Sequence, residues 1–239
     1  MQLLSIREAA DFIGVSIDTL RRWDKNGKLT PFRPTPNSHR YYRKEDLESF
    51  ITDLRSAVKN WATSKTANPP KDEYYCPSSD IFQGRLIRLQ NELSKIQDLE
   101  KIFSLIISIT GEIGNNSFDH NLGVWPDIRG IFFGYDIKKR LIVLGDRGQG
   151  ILETLKRVKP QLKNDEEALK VAFTEIISGR APESRGNGLK FVRRVIGNNP
   201  ITLLFQSGDA ELLLEKDTTN IDIKKLNYGF HGCMAIINF

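Results

Sequence analysis

The chain has 239 residues, of which 39% are hydrophobic and 27% charged, with 35 Lys and Arg against 30 Asp and Glu. That balance belongs to a globular chain that folds in water, and it excludes a disordered segment, a collagen-like repeat or a coiled-coil array as the main architecture. The longest nearly unbroken apolar stretch, Phe103 to Ile109, is far short of the roughly 20 residues a membrane helix needs, and no charged-then-apolar leader follows Met1, so a cytoplasmic protein with no membrane partner is expected.

Cys76 and Cys233 share no metal-like spacing with His39, His120 or His231, which leaves two unpaired thiols as the expectation. Between Asn60 and Asp80 the apolar periodicity lapses into a stretch rich in Pro, Ser, Thr and Asn. It reads as a linker, 60–80, between a small domain, 1–59, and a larger one, 81–239. Residues 1–60 hold eleven Lys and Arg against eight Asp and Glu, a net of +3 out of the whole chain's +5.

In chain order, Ser5-Ile6-Arg7-Glu8 is a capping box that should open a helix, with Ala9, Ala10, Phe12 and Ile13 as its apolar face and Gly14 as its stop. Ser16 caps a second helix, Ile17 to Asn26, which turns Ile17 and Leu20 inward and ends at Gly27. Three prolines between Lys28 and Ser38 exclude a helix there and leave room for a hairpin wing before His39-Arg40-Tyr41-Tyr42-Arg43, after which a third helix starts near Lys44. The ordered set Ser5 to Ala10, Val15 to Trp23 and His39 to Leu47 resembles the MerR and excisionase-type winged helix-turn-helix. The resemblance implies double-stranded DNA as partner, with the second helix in the major groove. On that basis Thr19, Arg21 and Arg22 are candidates for base edges or phosphates, and Arg40, Tyr41, Tyr42 and Arg43 for phosphates.

Beyond the linker, Phe82, Leu86, Leu89, Leu93 and Ile96 form a stripe that either packs within its own domain or pairs two chains. A helix then runs through Ile102 to His120. At about 100° per residue, Glu112, Asn116 and Asp119 fall in one narrow wedge, while Phe103, Ile106, Thr110, Ile113, Gly114 and Ser117 gather opposite. A hairpin follows, Ile128 to Ile137 and Arg140 to Leu144, and it delivers Asp146-Arg147-Gly148-Gln149-Gly150. The segment Ile151 to Glu183, with a helix from Asp165 to Ser178, reads as a lid hinged at Gly179 and Pro182. Gly186-Asn187-Gly188-Leu189 then opens a last helix, whose N-terminal amides suit an anion.

The order of these boxes resembles the Bergerat-fold (GHKL) ATPases, the superfamily that includes gyrase B subunits and histidine kinases. The expected fold class is therefore α+β: a small winged helix-turn-helix domain followed by a two-layer α/β sandwich. The resemblance implies ATP and Mg2+ as cofactors. It places Asn116 on Mg2+, Asp146 on the adenine amino group, Gly148 and Gly150 beneath the base, and Gly186, Asn187, Gly188 and Leu189 around the phosphates. Asp119 belongs to the same box, His120 stands either beside the phosphates or in solvent, and Arg185 is the cation for the terminal phosphate. Glu112 occupies the position of a general base. The functions that follow are an ATP-switched DNA-binding regulator, an anti-sigma-like serine kinase acting on a STAS-type or other genome-neighbour protein, and an ATP-dependent DNA-processing or phage-defence accessory. A homodimer is expected.

Overall fold

The computed structural model describes residues 2–13, 15–27, 29–35, 38–51, 53–175, 188–218 and 220–239. These form two compact units, Met1–Asp53 and Leu54–Phe239.

In the smaller unit, β1 (Leu3–Ser5) leads into α1 (Ile6–Ile13) and α2 (Ile17–Lys25), then β2 (Tyr41–Arg43) and α3 (Lys44–Ile51). The capping box forms: the Ser5 amide donates to Glu8 Oε2 at 2.7 Å and the Glu8 amide to Ser5 Oγ at 3.4 Å. Ser16 Oγ accepts from the Thr19 amide at 3.1 Å, and Gly27 leaves α2 at a φ of 68°. Helix α1 ends at Ile13, and Gly14, the expected stop, lies outside the described residues.

Ala9, Ala10, Leu20, Leu29, Tyr42 and Leu47 form the core of this unit. Phe12 departs from its expected inward placement, being 39% exposed, with Lys44 Nζ 5.9 Å from the ring centroid. Strand β2 pairs antiparallel with β1, placing Tyr42 opposite Leu4, and the Phe32–Tyr41 bridge closes the hairpin.

The larger unit begins with α4 (Leu54–Ala62) and continues through β3 (Tyr75–Cys76), α5 (Ser79–Leu93), α6 (Phe103–Asn121), β4 (Ile131–Asp136), β5 (Leu141–Asp146), α7 (Gly150–Lys156) and α8 (Asp165–Thr174). It ends with α9 (Gly188–Asn198), β6 (Thr202–Leu214) and β7 (Ile223–Asn238). Five strands pair antiparallel in the order β3-β4-β5-β7-β6. Period-2 alternation splits the faces of β4, β5 and β7. Ile131, Phe133, Ile142, Leu144, Ala235 and Ile237 meet helices α5, α6, α8 and α9 in the main core, where the stripe Phe82, Leu86, Leu89 and Leu93 is buried within this unit.

Phe132, Leu141, Val143, Met234 and Ile236 face the other way and are covered by Leu54, Val58 and Trp61 of α4. The α+β class and the two-layer sandwich thus hold, with one added helix on the back of the sheet. The expected linker looks different in place: the boundary between units falls at Asp53–Leu54, and Trp61, Ala62 and Cys76 are buried. Residues 63–73 are irregular and mostly exposed, as their composition suggests, while Trp61, Ala62 and Cys76 on either side are buried in the larger unit.

The segment read as a lid also packs. Leu169 and Phe173 of α8 join the main core, with Phe173 5.4 Å from Phe205 between ring centroids, and Ile151, Leu152 and Leu155 of α7 pack with Ala168 and Val171. The hinges Gly179 and Pro182 lie outside the described residues.

Candidate functional site

Helix α6 and the end of β5 meet at Asp146, a carboxylate 2% exposed. Ser117 Oγ donates to its Oδ2 at 2.7 Å, while the amides of Gly148 and Cys233 donate to Oδ1 at 2.9 and 3.3 Å. Burial pushes the Asp146 carboxyl up to about 6, against the pull of these three donors. The neighbouring Cys233 thiol is raised well above its ordinary range by burial and by the Asp146 charge.

Asn121, the last residue of α6, locks the glycine motif to the helix. Its Nδ2 donates to the Ser117 carbonyl at 2.8 Å and its Oδ1 accepts from the Gln149 amide at 2.8 Å. A Cβ on Gly148 would fall 2.1 Å from Asn121 Nδ2, so only glycine allows this approach. Gly150 opens α7 at a φ of 76°, and Ser207 Oγ accepts from the Ile151 amide at 2.9 Å.

One and a half turns back along α6, Asn116 Nδ2 donates to Glu112 Oε1 at 3.4 Å. That carboxylate lies against the first residue of α9, since a Cβ on Gly188 would come within 1.7 Å of Glu112 Oε1. A negative group there is favoured by the positive end of the helix dipole. The structure therefore brings Glu112, Asn116, Asp146, Gly148, Gly150 and Gly188 onto one side of the sheet. Leu189 is half-buried against the main core. Asp119 and His120 are exposed at the end of α6, and Arg185, Gly186 and Asn187 lie outside the described residues.

Sequence reasoning missed Asn121 and Arg147, and it read Ser117 only as a core-facing residue. The core-facing side of α6 is where Asp146 arrives, so Ser117 belongs to the site for the same reason it belongs to the stripe. Arg147, 3% exposed, turns away from the site and forms an ion pair with Asp127 at 2.6 Å. Burial disfavours the Asp127 charge, but the Arg147 guanidinium and the Ile128 amide outweigh it and hold this carboxyl below its ordinary value.

In the smaller unit, Arg21, Arg22 and Arg43 are exposed, Arg21 pairing with Asp18 at 2.9 Å and Arg43 lying 5.6 Å from the Phe32 ring centroid. Thr19 is committed in part to the helix cap, its hydroxyl 3.0 Å from Ser16 Oγ. Arg40 Nε donates to Asp24 Oδ2 at 2.7 Å, and Arg33 Nη2 bonds the same oxygen, so Asp24 ties the hairpin to α2. Half-buried Tyr41 carries the backbone bridge to Phe32, its amide donating at 3.0 Å. Tyr42 corrects the expectation of a phosphate contact. It is 1% exposed, because alternation along β2 sends it into the core between exposed Arg43 and half-buried Tyr41.

Comparison with known proteins bears first on this unit. Residues 5–42 match the family model of the MerR family regulatory protein. The N-terminal unit is a MerR-type helix-turn-helix. Over 46 residues, 19% of its length, the chain is 52% identical to the Type II methyltransferase M.Eco47II of Escherichia coli, of which that stretch covers 11%. Over 78 residues the chain is 35% identical to the transcriptional repressor DcmR of Methylorubrum extorquens, with 28% of this chain and 29% of the repressor covered. The chain thus spans less than a third of the length of either curated relative. Among solved structures, the topoisomerase IV ATP-binding domain of Francisella tularensis is similar at 14% identity over 60% of this chain and 40% of that one, with a TM-score of 0.34.

Proposed function

We propose that this chain is a DNA-binding regulator whose larger unit binds ATP with Mg2+ and uses occupancy to set its hold on DNA or on a partner protein. The observation that carries the reading is Asp146. A carboxylate offers about four acceptor sites, and three donors reach this one, so one further N–H, such as an exocyclic amino group, completes its set. Gly148 and Gly150 keep the chain close to Asp146, because Asn121 and Ser207 pack where a Cβ would stand. Asn116 uses Nδ2 toward Glu112, which directs its Oδ1 to the role of cation ligand. Among the described residues no group of three or more His, Cys, Asp and Glu side chains is placed to hold a metal, so a Mg2+ ion would depend on Asn116 together with phosphate oxygens. Bound Mg2+ would neutralise phosphate charge.

DNA binding is supported by the MerR-type unit and by exposed Arg22 on α2, with Arg43 at the end of the hairpin. The enzymatic versions of the reading rest on Glu112, a carboxylate beside Asn116 at the start of α9, where a base would orient water or a partner's serine hydroxyl.

Titration calorimetry with Mg-ATP tests the proposal. Wild type should bind, and Asp146→Asn should bind about 10- to 100-fold more weakly, the weight of a hydrogen bond to a charged group. Unchanged affinity in Asp146→Asn would remove the base assignment. With terminally labelled ATP, release of free phosphate marks a hydrolysing switch and transfer of label to a genome-neighbour protein marks a kinase.

A further inference from the structure

Gly145, Asp146 and Arg147 are consecutive, yet they serve opposite faces of the sheet. Asp146 meets Ser117 on the α6 side. Gly145 meets α4 on the back: a Cβ there would come within 2.6 Å of Val58 Cγ2 and 3.9 Å of Trp61 Cζ3, so the missing side chain lets the helix rest directly on the strand. Arg147 then reaches the end of the same helix. Its Nη1 donates to the carbonyls of Trp61, Ala62 and Ser64 at 2.8, 3.2 and 2.8 Å, while Nε and Nη2 donate to Asp127 at 3.0 and 2.6 Å.

The last carbonyls of a helix have no partner within it, and here a guanidinium supplies one. All three guanidinium nitrogens are committed, and a buried charge stripped of its partners is strongly disfavoured. The last turn of α4 and the end of β5 therefore keep a fixed relation. Helix α4 starts at Leu54, immediately after Asp53, the last residue of the smaller unit.

We propose that Arg147 is a positioning residue through which occupancy of the Asp146 site stiffens the C-terminal turn of α4, the helix that continues the chain out of the DNA-binding unit. The proposal rests on the nucleotide reading above and adds its route. A donor completing the Asp146 set restrains the end of β5, and the peptide link to Arg147 carries that restraint to the three carbonyls. An Arg147 with a structural role alone would leave α4 indifferent to ligand.

Hydrogen exchange of the full chain, with and without Mg-ATP, tests it. Nucleotide should slow exchange in peptides covering 112–121 and 146–150 and also in 54–64, the latter about fivefold or more, the low end of ordinary site-to-site coupling. Arg147→Lys keeps the charge but not the fork that reaches Asp127 and three carbonyls together. It should keep the response at the site and lose it in 54–64. A response confined to the site in wild type, or one that persists in 54–64 of Arg147→Lys, overturns the coupling and leaves nucleotide binding standing. Silence in every peptide overturns both. Should Arg147→Lys fail to fold, Asp127→Asn replaces it: a response in 54–64 cut at least twofold supports the route, and an unchanged one sinks it.

Discussion

Asp146 shows how one residue can be strained toward neutrality by its surroundings. Its ordinary value is 3.8, and burial lifts it to about 6 in the folded chain. Below 3.8 both folded and unfolded states hold the proton. Between 3.8 and 6 only the folded state does, so stability falls as pH rises through that window and is flat above it. The full difference is about 3 kcal/mol at 1.36 kcal/mol per unit. Urea unfolding of wild type and Asp146→Asn at pH 3, 5 and 7 should show wild type losing ground to the variant by that order; a constant difference across the series would refute the assignment. The placement of Asp146 at a strand end beside a glycine turn was legible in the sequence, because a carboxylate leaving a strand into Gly-x-Gly is a local pattern. Its partners were not, since Ser117 lies 29 positions away and Cys233 87, and only the folded sheet brings them together.

Among the elements, the helix starts and their caps were legible because a capping box acts within four residues, as Ser5 and Glu8 do. The role of Tyr42 was not, because Arg40, Tyr41, Tyr42 and Arg43 form an unbroken polar and aromatic run, and only the pairing of β2 with β1 decides which of them turns inward. The same pairing leaves Arg40 beside Asp24, so the hairpin is fastened to α2 through one carboxylate shared by Arg33 and Arg40. Asp24→Ala should free the hairpin and weaken DNA binding by about fivefold, near 1 kcal/mol for a lost hydrogen bond. The loss should be about equal on specific and unrelated duplexes, because backbone contacts carry no sequence information. Fluorescence anisotropy with both kinds of duplex measures this, and a loss confined to one sequence would place Asp24 in base reading instead.

At the scale of the whole chain, the division into a small and a large unit was legible from composition, whereas its position was not. A Pro- and Asn-rich stretch marks irregular exposed chain, as 63–73 is, but the boundary between the units falls before the helix that precedes it. That helix is α4. It covers Phe132, Leu141, Val143, Met234 and Ile236, and its last carbonyls hold Arg147. Two fragments separate the readings. One starting at Leu54 keeps α4 and should unfold at the same urea concentration as the larger unit in the full chain. One starting at Thr63 strips Leu54, Val58 and Trp61 from the sheet, at roughly 1.5–3 kcal/mol for each buried apolar side chain. It also removes two of the three carbonyl partners of Arg147, a change of the kind that costs about 3–5 kcal/mol when a buried pair is broken. The second fragment should therefore be aggregated or unfolded at concentrations where the first is folded. Equal stability of the two would deny α4 any part in the larger unit's fold and detach Arg147 from any role in holding the helix.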